Sequence, residues 1–160
     1  MIIELLAAGG VGAFAYARHL KKEADTVQTE VRGAIHAIKL KGLDIRLDVK
    51  LKNPSKTDFK FSFPFVQLQS GKGGVIGTTQ AVDEVVLLKA GEEKQLEPLF
   101  LHIPLGSVLK LGLEFLTNLK NGKAGFKLVA VTTTYAHLAF GVYKHKVSWK
   151  EEIVLLKEKT

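Results

Sequence analysis

From Thr26 onward the chain contains segments in which apolar side chains occupy every second position. In "LDIRLDVKLK" the apolar residues alternate without a break with charged ones, and they are Leu43, Ile45, Leu47, Val49 and Leu51. Strict alternation of this kind predicts a half-buried β-strand. The following "NPS" at residues 53–55 ends the strand, because Pro cannot donate to a ladder and Asn tolerates turn conformations.

The next strand pattern changes phase partway along. In "FKFSFPFVQLQ" four phenylalanines lie on one face, at positions 59, 61, 63 and 65, and then Val66 and Leu68 fall on the other. The switch beside Pro64 indicates a bulge or a sheet edge. Alternation also predicts strands within residues 27–40, 94–105, 126–138 and 143–156, several of them separated by glycine-rich or Asn-Gly punctuation.

One segment, residues 107–122, fits two periods. Alternation runs from Leu109 to Phe115, whereas a longer helical face joins Val108 to Leu119. We favour a short helix because the helical face is longer and Ser107 could cap its start. The expected fold is therefore all-β, an antiparallel immunoglobulin- or fibronectin III-like β-sandwich with one short helix, preceded by an N-terminal hydrophobic α-helix.

The first 17 residues have a different character. No charge occurs from Leu5 to Ala17, and a basic cluster follows directly. A helix over residues 2–17 would be about 24 Å long, somewhat short of a hydrocarbon core of about 30 Å. A secretory signal is disfavoured because its positive charge belongs before the apolar region. A membrane anchor is the favoured interpretation, and a helix buried among other protein subunits is the alternative.

Small residues spaced four apart support close helix packing in either case. We expect the helix to contact lipid or partner subunits through Leu5, Leu6, Ala8, Gly9, Gly12, Ala13, Phe14, Tyr16 and Ala17. Anionic surface contact is expected from Arg18, Lys21 and Lys22. The predicted division is residues 1–17 as anchor, 18–26 as a basic juxtamembrane linker, 27–156 as the sandwich and 157–160 as a tail. The positive-inside rule would place the sandwich on the cytoplasmic side, or inside a virion.

Composition narrows the partners without naming them. The chain has 160 residues, 46% of them hydrophobic, which allows one sizeable core, and it has no cysteine. Its net charge of +7 favours an anionic partner such as a lipid surface. Nucleic acid is disfavoured, because the phenylalanines that alternate with lysine at residues 59–65 are more simply explained as core.

No motif points to catalysis. In "QSGKGGVIGTT" the residue after Lys72 is Gly73, where a phosphate-binding loop needs Ser or Thr. The histidines are scattered singly, and Ser107 does not sit in a nucleophile elbow. We therefore expect no enzyme activity, no catalytic residues, no metal and no cofactor.

The order of these segments resembles a known family. A strand ending in Asn-Pro, an aromatic strand, a glycine-containing hairpin at residues 70–79, an acidic turn and strand at 90–105, a short helix and a closing strand pair are similar to late embryogenesis abundant group 2 proteins, also called the water-stress and hypersensitive-response (WHy) domain. The resemblance covers residues 27–155 and implies a non-catalytic β-sandwich. Together with the N-terminal apolar segment, it favours a membrane-anchored structural or binding module. The alternative is a structural subunit of a larger assembly, such as a virion or envelope complex, in which the chain would be part of an oligomer.

Overall fold

The computed structural model describes residues 15–16, 18–70, 74–110, 126–138 and 143–157. Residues 18–24 are helical and are named α1 here. The strands that follow are β1 (Gln28–Lys39), β2 (Gly42–Lys52), β3 (Phe59–Ser62), β4 (Phe65–Gln69), β5 (Val75–Thr78), β6 (Val85–Leu88), β7 (Glu93–Gln95) and β8 (Leu99–Pro104). Helix α2 (Leu105–Lys110), β9 (Phe126–Leu138) and β10 (Tyr143–Lys157) complete the described elements.

These strands form two antiparallel sheets. In sheet A, β2 lies between β1 on one side and β7 and β8 on the other. In sheet B, β9 pairs with β10 on one side and with β3 and β4 on the other, and β6 and β5 pair with β3 and β4. The last residues of β10 join the sheets by a parallel pairing with β1, where Ala34 meets Leu156. This parallel link was not expected from the sequence.

The core lies between the inner faces of the two sheets, as the alternation predicts. Ile45, Leu47 and Val49 of β2 are fully buried, and Phe61 and Leu128 face them from sheet B as fully buried or nearly fully buried side chains. The predicted all-β sandwich with one short helix is therefore confirmed. Its assignment to the immunoglobulin or fibronectin III type stays a prediction.

The phase change at Pro64 is confirmed. Phe59 and Phe61 are buried, Phe65 is turned outward, and Val66 and Leu68 take over the buried positions. The strand breaks at residues 63–64, so β3 and β4 each pair separately with β9.

One local prediction is wrong, and two local features were not predicted. Helix α2 begins at Leu105, so Ser107 lies inside the helix and does not cap it. Strands β5 and β6 were not predicted, since each has only four residues and neither shows a clear alternation. The turn between β1 and β2 depends on Gly42, where φ is +144° and an added Cβ would lie 2.0 Å from the Ile103 carbonyl oxygen.

Asn53 joins three parts of the fold at the end of β2. Its side chain is fully buried, and Nδ2 donates to the carbonyl oxygens of Thr57 at 2.7 Å and Lys89 at 3.1 Å. Its Oδ1 accepts from the Ser55 backbone N–H at 3.0 Å and from the Ser55 hydroxyl at 2.7 Å. The predicted Asn-Pro turn is present, and its asparagine ties β2 to the β2–β3 loop and to the end of β6.

Candidate functional site

The basic side chains on the outer face of sheet A form ion pairs with carboxylates. Arg32 Nη2 lies 2.9 Å from Glu30, and Arg46 Nε lies 3.3 Å from Asp48. Lys50 and Lys52 both contact Glu93, at 3.0 and 3.4 Å. Hydrogen bonds from these two lysines lower the pKa of the Glu93 carboxyl, so the carboxylate stays ionised at neutral pH.

An open groove crosses this paired surface. Its volume is about 450 Å³, and its lining comprises Glu30, Arg32, Arg46, Asp48, Lys50, Gln95, Leu96 and Pro98. Acidic and basic side chains alternate along the groove. The groove therefore has no strong preference for a ligand of either charge.

The outer face of sheet B is charged differently. The side chains of Lys60, Tyr135, His137, Lys144, Lys146 and Lys150 point to this side, and we call this set the basic face. Strand register brings them together: His137 of β9 lies opposite Lys60 of β3 and Lys144 of β10, and Tyr135 lies opposite Lys146. Cross-strand neighbours of this kind have Cβ atoms about 4.5–5.5 Å apart.

The lysines of the basic face have no acidic partner within the described part of the chain. None of the ion pairs found there includes Lys60, Lys144, Lys146 or Lys150. The lysine charges affect the ionisation of His137. Burial is the larger cause that lowers its pKa, and the charges of Lys144 and Lys60 lower the pKa further. At neutral pH the imidazole is therefore uncharged, and the lysines alone make the face positive.

A hydrogen bond links β3 and β9 within the basic face. Ser62 Oγ lies 2.9 Å from His137 Nε2. The hydroxyl of Thr134, on the inner side of β9, donates to the Ser62 carbonyl oxygen and holds this residue in place. The histidine has no carboxylate partner among the described residues, so the pair lacks the third group that orients the base in a hydrolytic triad.

The basic residues predicted to contact an anionic surface lie on α1, next to the start of β10. Leu20 and Ala24 of α1 are buried in the core, whereas Arg18 and Lys22 are exposed. The Lys21 ammonium lies 4.5 Å from the centre of the Tyr143 ring, next to the start of β10. The structure therefore brings α1 beside the strand that supplies Lys144, a proximity that the sequence did not indicate.

The predicted helix contacts fall mostly outside the described residues. This holds for Leu5, Leu6, Ala8, Gly9, Gly12, Ala13, Phe14 and Ala17. Tyr16 is described, is helical and is 55% exposed. No helix in the described ranges is both long and apolar enough to cross a bilayer.

An acidic side chain lies between the two sheets where they separate. Glu151 points inward from β10, accepts a hydrogen bond from the Thr29 hydroxyl at 3.3 Å, and also accepts one from the Val31 backbone N–H. Burial raises the pKa of its carboxyl, and the hydrogen bonds oppose that rise. The carboxylate thus occupies the free edge of β1 before the parallel pairing with β10 begins.

The described residues show no group of three or more histidine or acidic side chains that could hold a metal ion. One buried polar atom in these ranges, Thr132 Oγ1, has no hydrogen-bond partner. It lies on the inner face of β9 among apolar side chains, and nothing in the structure explains its presence there.

Comparison with known proteins supports the fold and goes no further. A protein from Bordetella pertussis described as ApaA superposes with a TM-score of 0.51 at 12% identity, over 84% of this chain and 95% of that one. A protein from Arabidopsis thaliana gives 0.48 at 15% identity, over 81% and 80% of the two chains. A protein described as late embryogenesis abundant gives 0.36 at 15% identity, over 98% of this chain and 88% of that one.

No family profile matches the chain, and no curated protein sequence matches it. At identities this low, a structural match shows a shared fold alone. The chain is thus an all-β domain of a widely used architecture, and its function has to be argued from its own surface.

Proposed function

We propose that this chain is a non-enzymatic β-sandwich binding module, similar to late embryogenesis abundant group 2 proteins, that works at an anionic bilayer surface. The observation that carries the proposal is the basic face, with its lysines unpaired among the described residues. A positive surface of this kind is attracted to the negative potential of a membrane leaflet, by about 1 kcal/mol for each lysine near the surface. The outer face of sheet A offers a weaker attraction, because its lysines and arginines lie beside carboxylates.

The N-terminal residues would add a second means of attachment. In this proposal the apolar segment of residues 1–17 inserts in the bilayer, and the exposed Arg18 and Lys22 lie near its head groups. The basic cluster and the apolar segment then act together, as stable membrane attachment commonly needs two signals.

The absence of an enzyme activity belongs to the same proposal. The Ser62–His137 pair is the arrangement in the described residues that comes nearest to an activated nucleophile, and it has no orienting carboxylate. It also lies on an outer sheet face, where water would surround a bound substrate.

Flotation of the full chain with liposomes tests the proposal. The double variant Lys60→Ala/Lys144→Ala should bind anionic vesicles about 30-fold more weakly than the wild type, because two lysines contribute about 1 kcal/mol each. The matched control is Lys50→Ala/Lys52→Ala, which removes the same charge from the paired face and should have a much smaller effect. Binding to neutral vesicles, which measures insertion of the N-terminal residues, should be unchanged.

Two results would contradict the proposal. If the two double variants lose the same affinity, net charge and not the basic face controls binding. If the wild type floats with neither kind of vesicle and forms defined oligomers, the chain is an assembly subunit, and protein partners take the place of lipid.

A further inference from the structure

Two neighbouring cross-strand rows of the basic face place two lysines, a histidine and a serine next to one another. His137 lies between Lys60 and Lys144 in the strand register, and Ser62 Oγ lies 2.9 Å from its Nε2 atom. The two lysines come from strands on opposite sides of β9, so their ammonium groups can approach the same position from both sides. The hydroxyl reaches the ring nitrogen diagonally from the next row, and when Nε2–H donates to Ser62 Oγ the hydroxyl proton is free to donate outward.

We propose that Lys60, Ser62, His137 and Lys144 form a binding site for the phosphomonoester head group of an anionic lipid. This inference rests on the proposed function, because it names the lipid chemistry that the same face would select. A phosphomonoester carries a charge of about −1.5 to −2 at neutral pH and three strong acceptor oxygens. Two ammonium groups supply a matching charge, and the Ser62 hydroxyl, which accepts from His137 Nε2–H, supplies a neutral donor.

A phosphodiester head group matches the site less well. It carries a single charge and has fewer terminal oxygens, so it cannot use both lysines and the hydroxyl equally. The Ser62–His137 pair should therefore distinguish the two lipid classes, whereas the lysines should attract both. This separates selectivity from the general attraction of the basic face.

A lipid fits the surroundings of the site better than a nucleic acid does. Single-strand binding relies on successive aromatic side chains on which bases stack. On this face Tyr135 is 38% exposed and Phe65, opposite Thr133, is turned outward, but the positions of β10 that face them hold lysine and serine. A tyrosine among lysines is also suited to the bilayer interface.

Binding should change the protonation of His137. The groups that face the imidazole are Lys60 from β3, Lys144 and Lys146 from β10, and Tyr135 on its own strand, and none of them is acidic. A bound dianion would offset the lysine charges and favour the imidazolium, which donates to phosphate. We therefore expect the His137 pKa to rise on binding.

Vesicles that differ in head group but not in charge test the site on the full chain. One set is phosphatidylcholine with phosphatidic acid, and the other is phosphatidylcholine with enough phosphatidylglycerol to give the same surface charge. The wild type should bind the phosphatidic acid vesicles about tenfold more tightly, the ratio expected for one hydrogen bond to a charged group.

The variant Ser62→Ala/His137→Val removes the hydroxyl–imidazole pair without changing the charge at neutral pH. It should lose the tenfold preference and keep the wild-type affinity for phosphatidylglycerol vesicles. The control Gln67→Ala/Ser148→Ala alters neutral side chains on the same outer face and should keep the preference. Urea denaturation of each variant establishes that it is folded before binding is measured.

The failures of the two proposals are distinguishable. Equal wild-type affinity for the two vesicle types, or an unchanged preference in Ser62→Ala/His137→Val, overturns the phosphomonoester site and leaves the proposed function standing. No binding to either type overturns both. Displacement by inorganic phosphate would assign the site to a soluble phosphomonoester, and displacement by a single-stranded oligonucleotide would assign the face to nucleic acid; each result overturns the lipid assignment. A rise in the His137 pKa with phosphatidic acid, followed by NMR, supports the site.

Discussion

Replacement of Asn53 by aspartate should destabilise the fold strongly, although the two side chains have almost the same shape. The asparagine amide donates to the backbone carbonyls of Thr57 and Lys89 at 2.7 and 3.1 Å, with a longer contact to Leu88 at 3.4 Å. An ionised aspartate keeps the acceptor side of the turn, where Ser55 donates, but it presents oxygen to those carbonyls. The donor side of the turn is lost, and like partial charges face each other in a fully buried site.

The size of the effect follows from these contacts. Two good hydrogen bonds contribute about 1 kcal/mol each, and burial of a carboxylate with poor partners adds at least as much again. We expect Asn53→Asp to lower the free energy of unfolding by about 4 kcal/mol at neutral pH and Asn53→Ala by about 3 kcal/mol. The control Ser55→Ala, which removes the hydroxyl donor to Asn53 Oδ1 and keeps the backbone N–H donor, should cost about 1 kcal/mol.

Urea denaturation followed by tryptophan fluorescence measures these values. Trp149 is the single tryptophan of the chain, and its indole N–H donates to the Val27 carbonyl oxygen at 2.7 Å, so its emission reports the folded core. The deficit of Asn53→Asp should shrink at low pH, where the protonated carboxyl regains a donor. An Asn53→Asp protein within about 0.5 kcal/mol of the wild type at neutral pH would refute the reasoning.

Three further predictions concern the same stability measurement. Burial raises the pKa of Glu151, so the folded state binds a proton more readily than the unfolded state, and stability should rise as the pH falls through the folded pKa. Glu151→Gln should be more stable than the wild type at neutral pH and should lose this rise, whereas Glu152→Gln, on the outer face, should keep it. An unchanged pH profile in Glu151→Gln would count against the assignment. Gly42→Ala should cost about 2–4 kcal/mol because its new methyl meets a backbone carbonyl and its φ is positive, while Gly106→Ala, with open space around it, should be neutral or stabilising; equal effects would show that the turn can relax. Leu47→Asp should unfold the domain, because it buries an unpaired charge at a fully buried position, and a soluble variant with an unchanged melting temperature would show that β2 is misplaced.

The sequence predicted those elements whose periodicity is unambiguous. The unbroken alternation from Leu43 to Leu51 predicted β2, and the change of face at Pro64 predicted the break between β3 and β4. It failed for β6, "VVLL", where an apolar run gives no period although Val85 and Leu87 are exposed on the outer face. A strand of four residues with apolar side chains on both faces has no signal that separates it from a loop or a helical turn.

The basic face could not be predicted, because both sheets carry alternating lysines. Which lysine finds a carboxylate depends on register between distant strands: Lys50 meets Glu93 across β2 and β7, whereas Lys60 and Lys144 meet only a histidine across β9. Likewise, the turn at Asn53 was visible in the sequence, but its buried amide was not, since the carbonyl of Lys89 reaches it only through the pairing of β3 with β6.

The docking of α1 has a mechanical consequence for any attachment upstream of it. Because Leu20 and Ala24 are buried in the core and Lys21 lies over Tyr143, α1 cannot rotate freely relative to the sandwich. A force applied to the chain before residue 18 would therefore rotate the sandwich as a rigid unit, and the sandwich would keep one orientation relative to the attachment point. A few glycines inserted after residue 24 should therefore uncouple α1 from the sandwich. Both parts would stay folded, but the basic face would no longer keep a fixed orientation relative to the attachment.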